Sequence, residues 1–164
     1  MKIKYALCGM LAMLPVICCA QAMTEQQKNF HEKVINPIKR EISPLVHLCW
    51  FENLESSSVC VNGTSGMGYE ILHYIKNKDI ESVKVQSNDY TAKALSKGKV
   101  LVSTVTVTAT KKYDNATYVM KAYLDGNDFV WSDSKDSTCI EKSLCVDGIT
   151  DTIGVGMEHT FKFE

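Results

Sequence analysis

The spacings that mark the common catalytic and metal-binding motifs are missing from this chain of 164 residues. H-E-x-x-H does not occur, which removes the usual helical zinc pair. G-x-S-x-G does not occur either, which removes the serine-hydrolase elbow. The calcium-loop spacing D-x-[DN]-x-[DN]-G is absent. Residues 63–68 (GTSGMG) are glycine-rich but lack the lysine of a phosphate loop, so turn chemistry explains them. Lysine and arginine number 18 against 19 acidic residues, for a formal charge of −1. With no basic surplus, nucleic acid is excluded as the main partner. No internal repeat or low-complexity tract is present, and no apolar run reaches the ~20 residues that span a bilayer.

The longest apolar run, residues 5–19, follows Lys2 and Lys4 and precedes Ala20-Gln21-Ala22. A short positive region, an apolar stretch and a small-x-small site together read as a secretory signal peptide cut after Ala22. A retained anchor, or a lipid on Cys18 or Cys19, is the alternative. The residues before those cysteines lack the small side chain that lipoprotein processing prefers. Cleavage removes two lysines and takes the formal charge to −3. It also removes Cys8, Cys18 and Cys19 and leaves Cys49, Cys60, Cys139 and Cys145. An even set in an exported chain favours disulfides over metal thiolates or a catalytic thiol. Four cysteines allow three pairings; local closure favours Cys49–Cys60 and Cys139–Cys145. The remaining residues 23–164 suit one domain with a single core.

Thr24-x-x-Gln27 reads as a capping box. Phe30, Val34, Ile38 and Ile42 then recur every fourth residue, widened by Ile35, Leu45 and Val46. Lys28, Glu32, Lys33, Lys39, Arg40 and Glu41 are assigned to the opposite, solvated side. Pro37 and Pro44 are expected to kink or restart this helix, with Asn36 and Ser43 as caps. Residues 49–66 read as a loop and 67–76 as a short helix. Residues 80–85 read as a strand. Residues 99–110 (KVLVSTVTVTAT) are β-branched or small and suit a pleated surface. Tyr113-Asp114-Asn115-Ala116 turns the chain, 116–124 alternates with Tyr118, Met120, Ala122 and Leu124 on one side, and Asp125-Gly126 marks a tight hairpin. Residues 129–131 return as a strand. Residues 157–164 alternate Met157, His159, Phe161 and Phe163 against Glu158, Thr160, Lys162 and Glu164, the pattern of a terminal strand with one buried face.

Three histidines are candidates for metal or acid–base chemistry. His47 sits beside a cysteine expected to pair, His73 lies in the short helix, and His159 is on the apolar side of a strand. For each, a packed histidine is commoner than a ligand or a base. Asp133 and Asp136 around Lys135, like Asp147, Asp151 and Glu158, read as solvated turn residues. Asn62 and Asn115 each head an N-x-T triplet and read as turns. Tyr113, Tyr118, Tyr123, Phe129 and Trp131 are mostly assigned to the core, any exposed remainder being a recognition patch. No catalytic residue, metal or cofactor is assigned.

Val46-His47-Leu48-Cys49 closing a helix, Cys60 closing the next loop, Gly126-Asn127-Asp128-Phe129-Val130-Trp131 and then Cys139 and Cys145 form a series over residues 24–145. It resembles the globular domain of type IV pilins. Gly9 is followed by Met10-Leu11-Ala12-Met13-Leu14, without the glutamate of a prepilin leader. The resemblance therefore implies a pilin-like head carried on a secretory signal. The fold expected is α+β, a kinked amino-terminal helix on an antiparallel sheet of four or five strands. The function expected is non-enzymatic: a periplasmic or secreted, monomeric interaction or adhesion module. Its partner would be a protein of a type IV pilus, a type II secretion system or a host surface, with no stable membrane anchor after cleavage. A small exported inhibitor or binder unrelated to pili is the alternative, with a hydrolase third. The interaction candidate is the disulfide loop: Thr138, Ile140, Glu141, Lys142, Ser143 and Leu144 between Cys139 and Cys145. A rigid loop loses little entropy on binding.

Overall fold

The computed structural model describes residues 23–53, 59–62, 77–88, 98–126 and 128–146. The expected signal segment, the short helix over 67–76, the terminal strand over 157–164, and with them His73 and His159, lie outside the described residues.

Thr24, with extended backbone, opens the helix through the expected capping box. Its hydroxyl accepts from Gln27 N at 3.2 Å, and Gln27 Oε1 accepts from Thr24 N at 2.7 Å. Helical residues then run without a break from 25 to 52. They comprise α1 (Glu25–Phe30), wide π turns at His31–Ile35 and Ile38–Ile42, and α2 (Ser43–Glu52). Two expectations are corrected here. The helix ends at Glu52, beyond Cys49, and neither Asn36 nor Ser43 acts as an extended cap, since both have helical dihedrals. The π turns absorb both prolines. Pro37 has no N–H for the Lys33 carbonyl, which is met instead by the Asn77 side chain. Ser43 Oγ donates to the Lys39 carbonyl at 2.6 Å.

The π turns also explain a period the helix otherwise forbids. In an α-helix each four-residue step drifts by ~40° around the axis. Over the four steps from Phe30 to Val46 that drift would carry the stripe onto the far side. Yet Phe30, Val34, Ile38, Ile42 and Val46 are all fully buried. Wider turns undo the drift. Burying each of these side chains contributes roughly 1.5–3 kcal/mol.

The stripe packs on a meander in the order β1-β2-β3-β4, antiparallel throughout. The strands are β1 (Ile80–Ser87), β2 (Val100–Ala109), β3 (Thr117–Asp125) and β4 (Asp128–Asp133). Val85, Val105, Met120 and Asp133 lie side by side in one row, and Val83, Val107 and Tyr118 in the next. With the helix stripe, Tyr113 and Cys139, these rows form the main core. A bulge between Leu101 and Ser103 lets both Val102 and Ser103 turn inward, and Val102 joins Trp50, Ala122 and Leu124 in a second cluster. Asp114 and Asn115 take positive φ in the β2–β3 turn and Gly126 in the β3–β4 hairpin, where the sequence placed turns. Cys49–Cys60 and Cys139–Cys145 are both formed, with Cα atoms 5.8 and 5.3 Å apart. The domain is thus α+β, a helix on a four-stranded antiparallel sheet with two disulfide staples.

Candidate functional site

The Cys139–Cys145 loop begins with α3 (Thr138–Glu141). Three residues before and at its start tie it to β3. Ser134 N donates to the Val119 carbonyl at 2.9 Å, Ser137 Oγ accepts from Val119 N at 2.9 Å, and Thr138 Oγ1 accepts from Thr117 N at 2.8 Å. Cys139 and Leu144 are buried and Ile140 packs against the same core. On the other side, Gln27 Nε2 donates to the Ser143 carbonyl at 3.1 Å. The residue that caps the helix therefore also holds the loop. Lys142 Nζ reaches the β2–β3 turn, where it donates to the Asp114 carbonyl at 2.7 Å and pairs with its carboxylate.

Of the six candidate residues, Thr138, Ile140 and Leu144 are anchors. Glu141, Lys142 and Ser143 face outward on a frame fixed from three directions. Ser143 sits at φ 54, the left-handed conformation that closes the loop.

Next to the loop lies a polar network that the sequence reading misplaced. Lys39, assigned to the solvated side of the helix, is only 5% exposed and pairs with Asp133 at 3.0 Å. The π turn at Ile38–Ile42 rotates it inward. Asp133, read as a solvated turn residue, also accepts from Tyr118 Oη at 2.5 Å. Asp136 does stay exposed, bonded to Lys121 and to Ser134 Oγ at 3.0 Å. Those bonds hold the Asp136 carboxyl below its usual range, and the Asp136 bond raises the Lys121 ammonium. A niche of about 20 Å³ adjoins Lys39, Asp133 and Tyr118, with His31 at its edge; that is room for about one water. Among the described residues no group of three or more His, Cys, Asp or Glu is placed to hold a metal ion.

A second outward feature lies where the sequence pattern predicts a loop from residue 49. The last turn of α2 leaves Leu48 46% and Phe51 48% exposed. Between Phe51 and β4 stands His47, its ring 4.7 Å from Phe51 and stacked 4.5 Å from Phe129. Trp131 meets Phe129 edge-on at 5.7 Å. His47 Nε2 is buried with no hydrogen-bond partner among the described residues, and burial pushes its pKa below the ordinary 6.5. His47 is thus packed between the rings of Phe51 and Phe129. The unbroken apolar run Leu48-Cys49-Trp50-Phe51 was the signal for the extra helical turn.

Comparison with family profiles, with curated proteins and with solved structures found no match for this chain. Among the described residues no helix is long and apolar enough to cross a membrane. Two disulfides fit an oxidising compartment outside the cytoplasm.

Proposed function

We propose that this chain is an exported, non-enzymatic pilin-like interaction module that captures a protein partner through the tip of the Cys139–Cys145 loop. The observation that carries this reading is the three-way fixation of that tip. Thr117 on β3, Gln27 on α1 and Asp114 on the β2–β3 turn hold it, while Glu141, Lys142 and Ser143 project outward. A preordered, charge-bearing loop gains specificity at low entropic cost. The order of elements supports the pilin-like part: a long amino-terminal helix, a disulfide after it, an antiparallel meander, and a terminal disulfide loop. The partner class is a pilus, secretion-system or host-surface protein, and the acting form is a monomer cut after Ala22.

The test is crosslinked capture from the native envelope by the wild-type protein, by Glu141→Ala/Lys142→Ala and by His47→Ala. Exposed charges contribute little to stability, so the loop variant should fold normally; it gives up the Lys142 tether to Asp114 together with the tip charges and should lose most of its capture, while His47→Ala retains it. Unchanged capture by the loop variant overturns the reading. Capture of a partner unconnected with pili or secretion supports the alternative, a small exported inhibitor or binder.

A further inference from the structure

We propose that the outer edge of β4 accepts an extended segment of another protein as a further antiparallel strand, one with two apolar residues a position apart and a basic residue directly after the second. This surface is separate from the Cys139–Cys145 loop and does not depend on it. The sheet has two edges, and they are treated differently. On β1, the Asn62 side chain donates to the Val83 carbonyl and accepts from Val85 N, both at 2.9 Å, standing in for a neighbouring strand. On β4 (DFVWSD) no lysine, proline or bulge guards the edge. Hydrogen-bonded and non-hydrogen-bonded pairs alternate along it from the Asp125–Asp128 hairpin pair. The bond from Ser134 N to the Val119 carbonyl fits the same alternation. The backbone groups of Phe129 and Trp131 therefore point away from β3, and among the described residues nothing bonds to them.

The side chains around that edge say what the added strand should carry. Phe129 and Trp131 are half-buried on the inner face, and the exposed Phe51 ring lies 6.5 Å from Phe129. A strand ~4.8 Å beyond β4 pairs one residue with Trp131 and another, two positions later, with Phe129. Both of their side chains meet the ledge of Phe51 and His47, so both should be apolar. The next residue of the added strand falls opposite Asp128. Asp128 and Asp125 are exposed, and neither forms an ion pair among the described residues. A lysine or arginine there supplies the missing opposite charge. Backbone bonds give affinity in this mode, and alternate side chains give specificity.

A second copy of β4 is the rival occupant. The alternation permits it in two-fold registers about Val130 or about Trp131. Both set Asp128 opposite a serine, and β4 carries no lysine or arginine to offer it. Backbone pairing alone thus allows the copy, and the acidic end of the edge favours a basic partner.

The test is amide hydrogen exchange on the disulfide-bonded chain from residue 23, alone and with millimolar blocked peptides. The peptides are TVTVKT, TVTVET, and TVTVKT N-methylated at both valines. The expected result is that TVTVKT slows exchange of the Phe129 and Trp131 amides about tenfold. Val105 and Met120 amides in the interior strands should be unchanged, and the N-methylated peptide should have no effect. TVTVET should be weaker than TVTVKT on the wild-type chain and stronger on Asp128→Lys, an exposed site whose change leaves the fold intact. No slowing by TVTVKT overturns the proposal, and so does equal slowing by the lysine and glutamate peptides on both proteins. Protection of the two amides without peptide overturns it as well. If independent of protein concentration, that protection makes the occupant a segment of the same chain; if it rises with concentration, a second copy. Glu141→Ala/Lys142→Ala should respond to TVTVKT as the wild type does, so failure here and failure of the loop reading are read separately.

Discussion

Lys39 Nζ lies 3.0 Å from Asp133 Oδ2, joining the middle of the helix to the last residue of β4 across the core. Lys39 is nearly sealed, whereas Asp133 is a quarter exposed and has Tyr118 as a second partner. The two ends of the pair should therefore respond unequally to removal. Asp133→Ala strands a buried ammonium and should cost about 3–5 kcal/mol, while Lys39→Met leaves a hydrated, hydrogen-bonded carboxylate and should cost nearer 2 kcal/mol. Lys39→Met with Asp133→Ala should cost less than the sum of the single changes. Urea denaturation of the four proteins checks the order.

His47 sets a pH dependence. Burial lowers its folded-state pKa, so the fold favours the neutral ring. Above the ordinary 6.5 the ring is neutral in both states and contributes no slope. As pH falls below 6.5 the unfolded chain takes up a proton that the folded chain resists, and stability is lost until the folded value is passed. Between pH 6.5 and 5.5 the loss should be at most about 1 kcal/mol, because the ring is partly open to water. His47→Leu should lose less over the same interval. Thermal unfolding of both proteins at pH 7.0 and 5.5 measures the difference.

Asn62 guards the β1 edge with one donor and one acceptor. Asn62→Asp keeps the acceptor for Val85 N but turns a carboxylate toward the Val83 carbonyl. It should destabilise by about 1–3 kcal/mol and speed exchange of the Val85 amide. Wild-type exchange at that amide in the variant would contradict the role.

The two disulfides should differ in how far their loss spreads. Replacing Cys139 and Cys145 by serine should cost about 2 kcal/mol or more and raise exchange mainly over residues 138–146, since Thr117 and Val119 still hold the start of the loop. Replacing Cys49 and Cys60 releases the segment that carries Asn62, so β1 amides should also lose protection. Exchange maps of the two variants distinguish a local staple from one coupled to the sheet.

Much of the scaffold was readable in advance because its signals are local. The β-branched run over residues 99–110, the alternation over 116–124 and the Asp125-Gly126 hairpin each need only neighbouring residues to specify pleat and turn. The loop of Cys139 and Cys145 was readable for the same reason, because six residues of separation make local closure the natural pairing. The outward residues of that loop could not be told from its anchors. Thr138 and Leu144 are fixed by β3 and the core, and Lys142 by a turn 28 residues away.

By itself the sequence determined the capping box at Thr24 and Gln27, the meander order and the four-residue period of the helix, and it favoured the local pairing of the four cysteines among three that it allowed. Only the tertiary structure decided what that period meant. Held at a strict spacing of four against the sheet, the stripe goes with π turns that each end two residues before a proline, Pro37 and Pro44. Those turns carry Lys39 from the solvated side into the core, where Asp133 meets it. A charge placed outward by a regular helix was turned inward by packing, because burying Phe30 through Val46 outweighs the loss of ideal helical geometry.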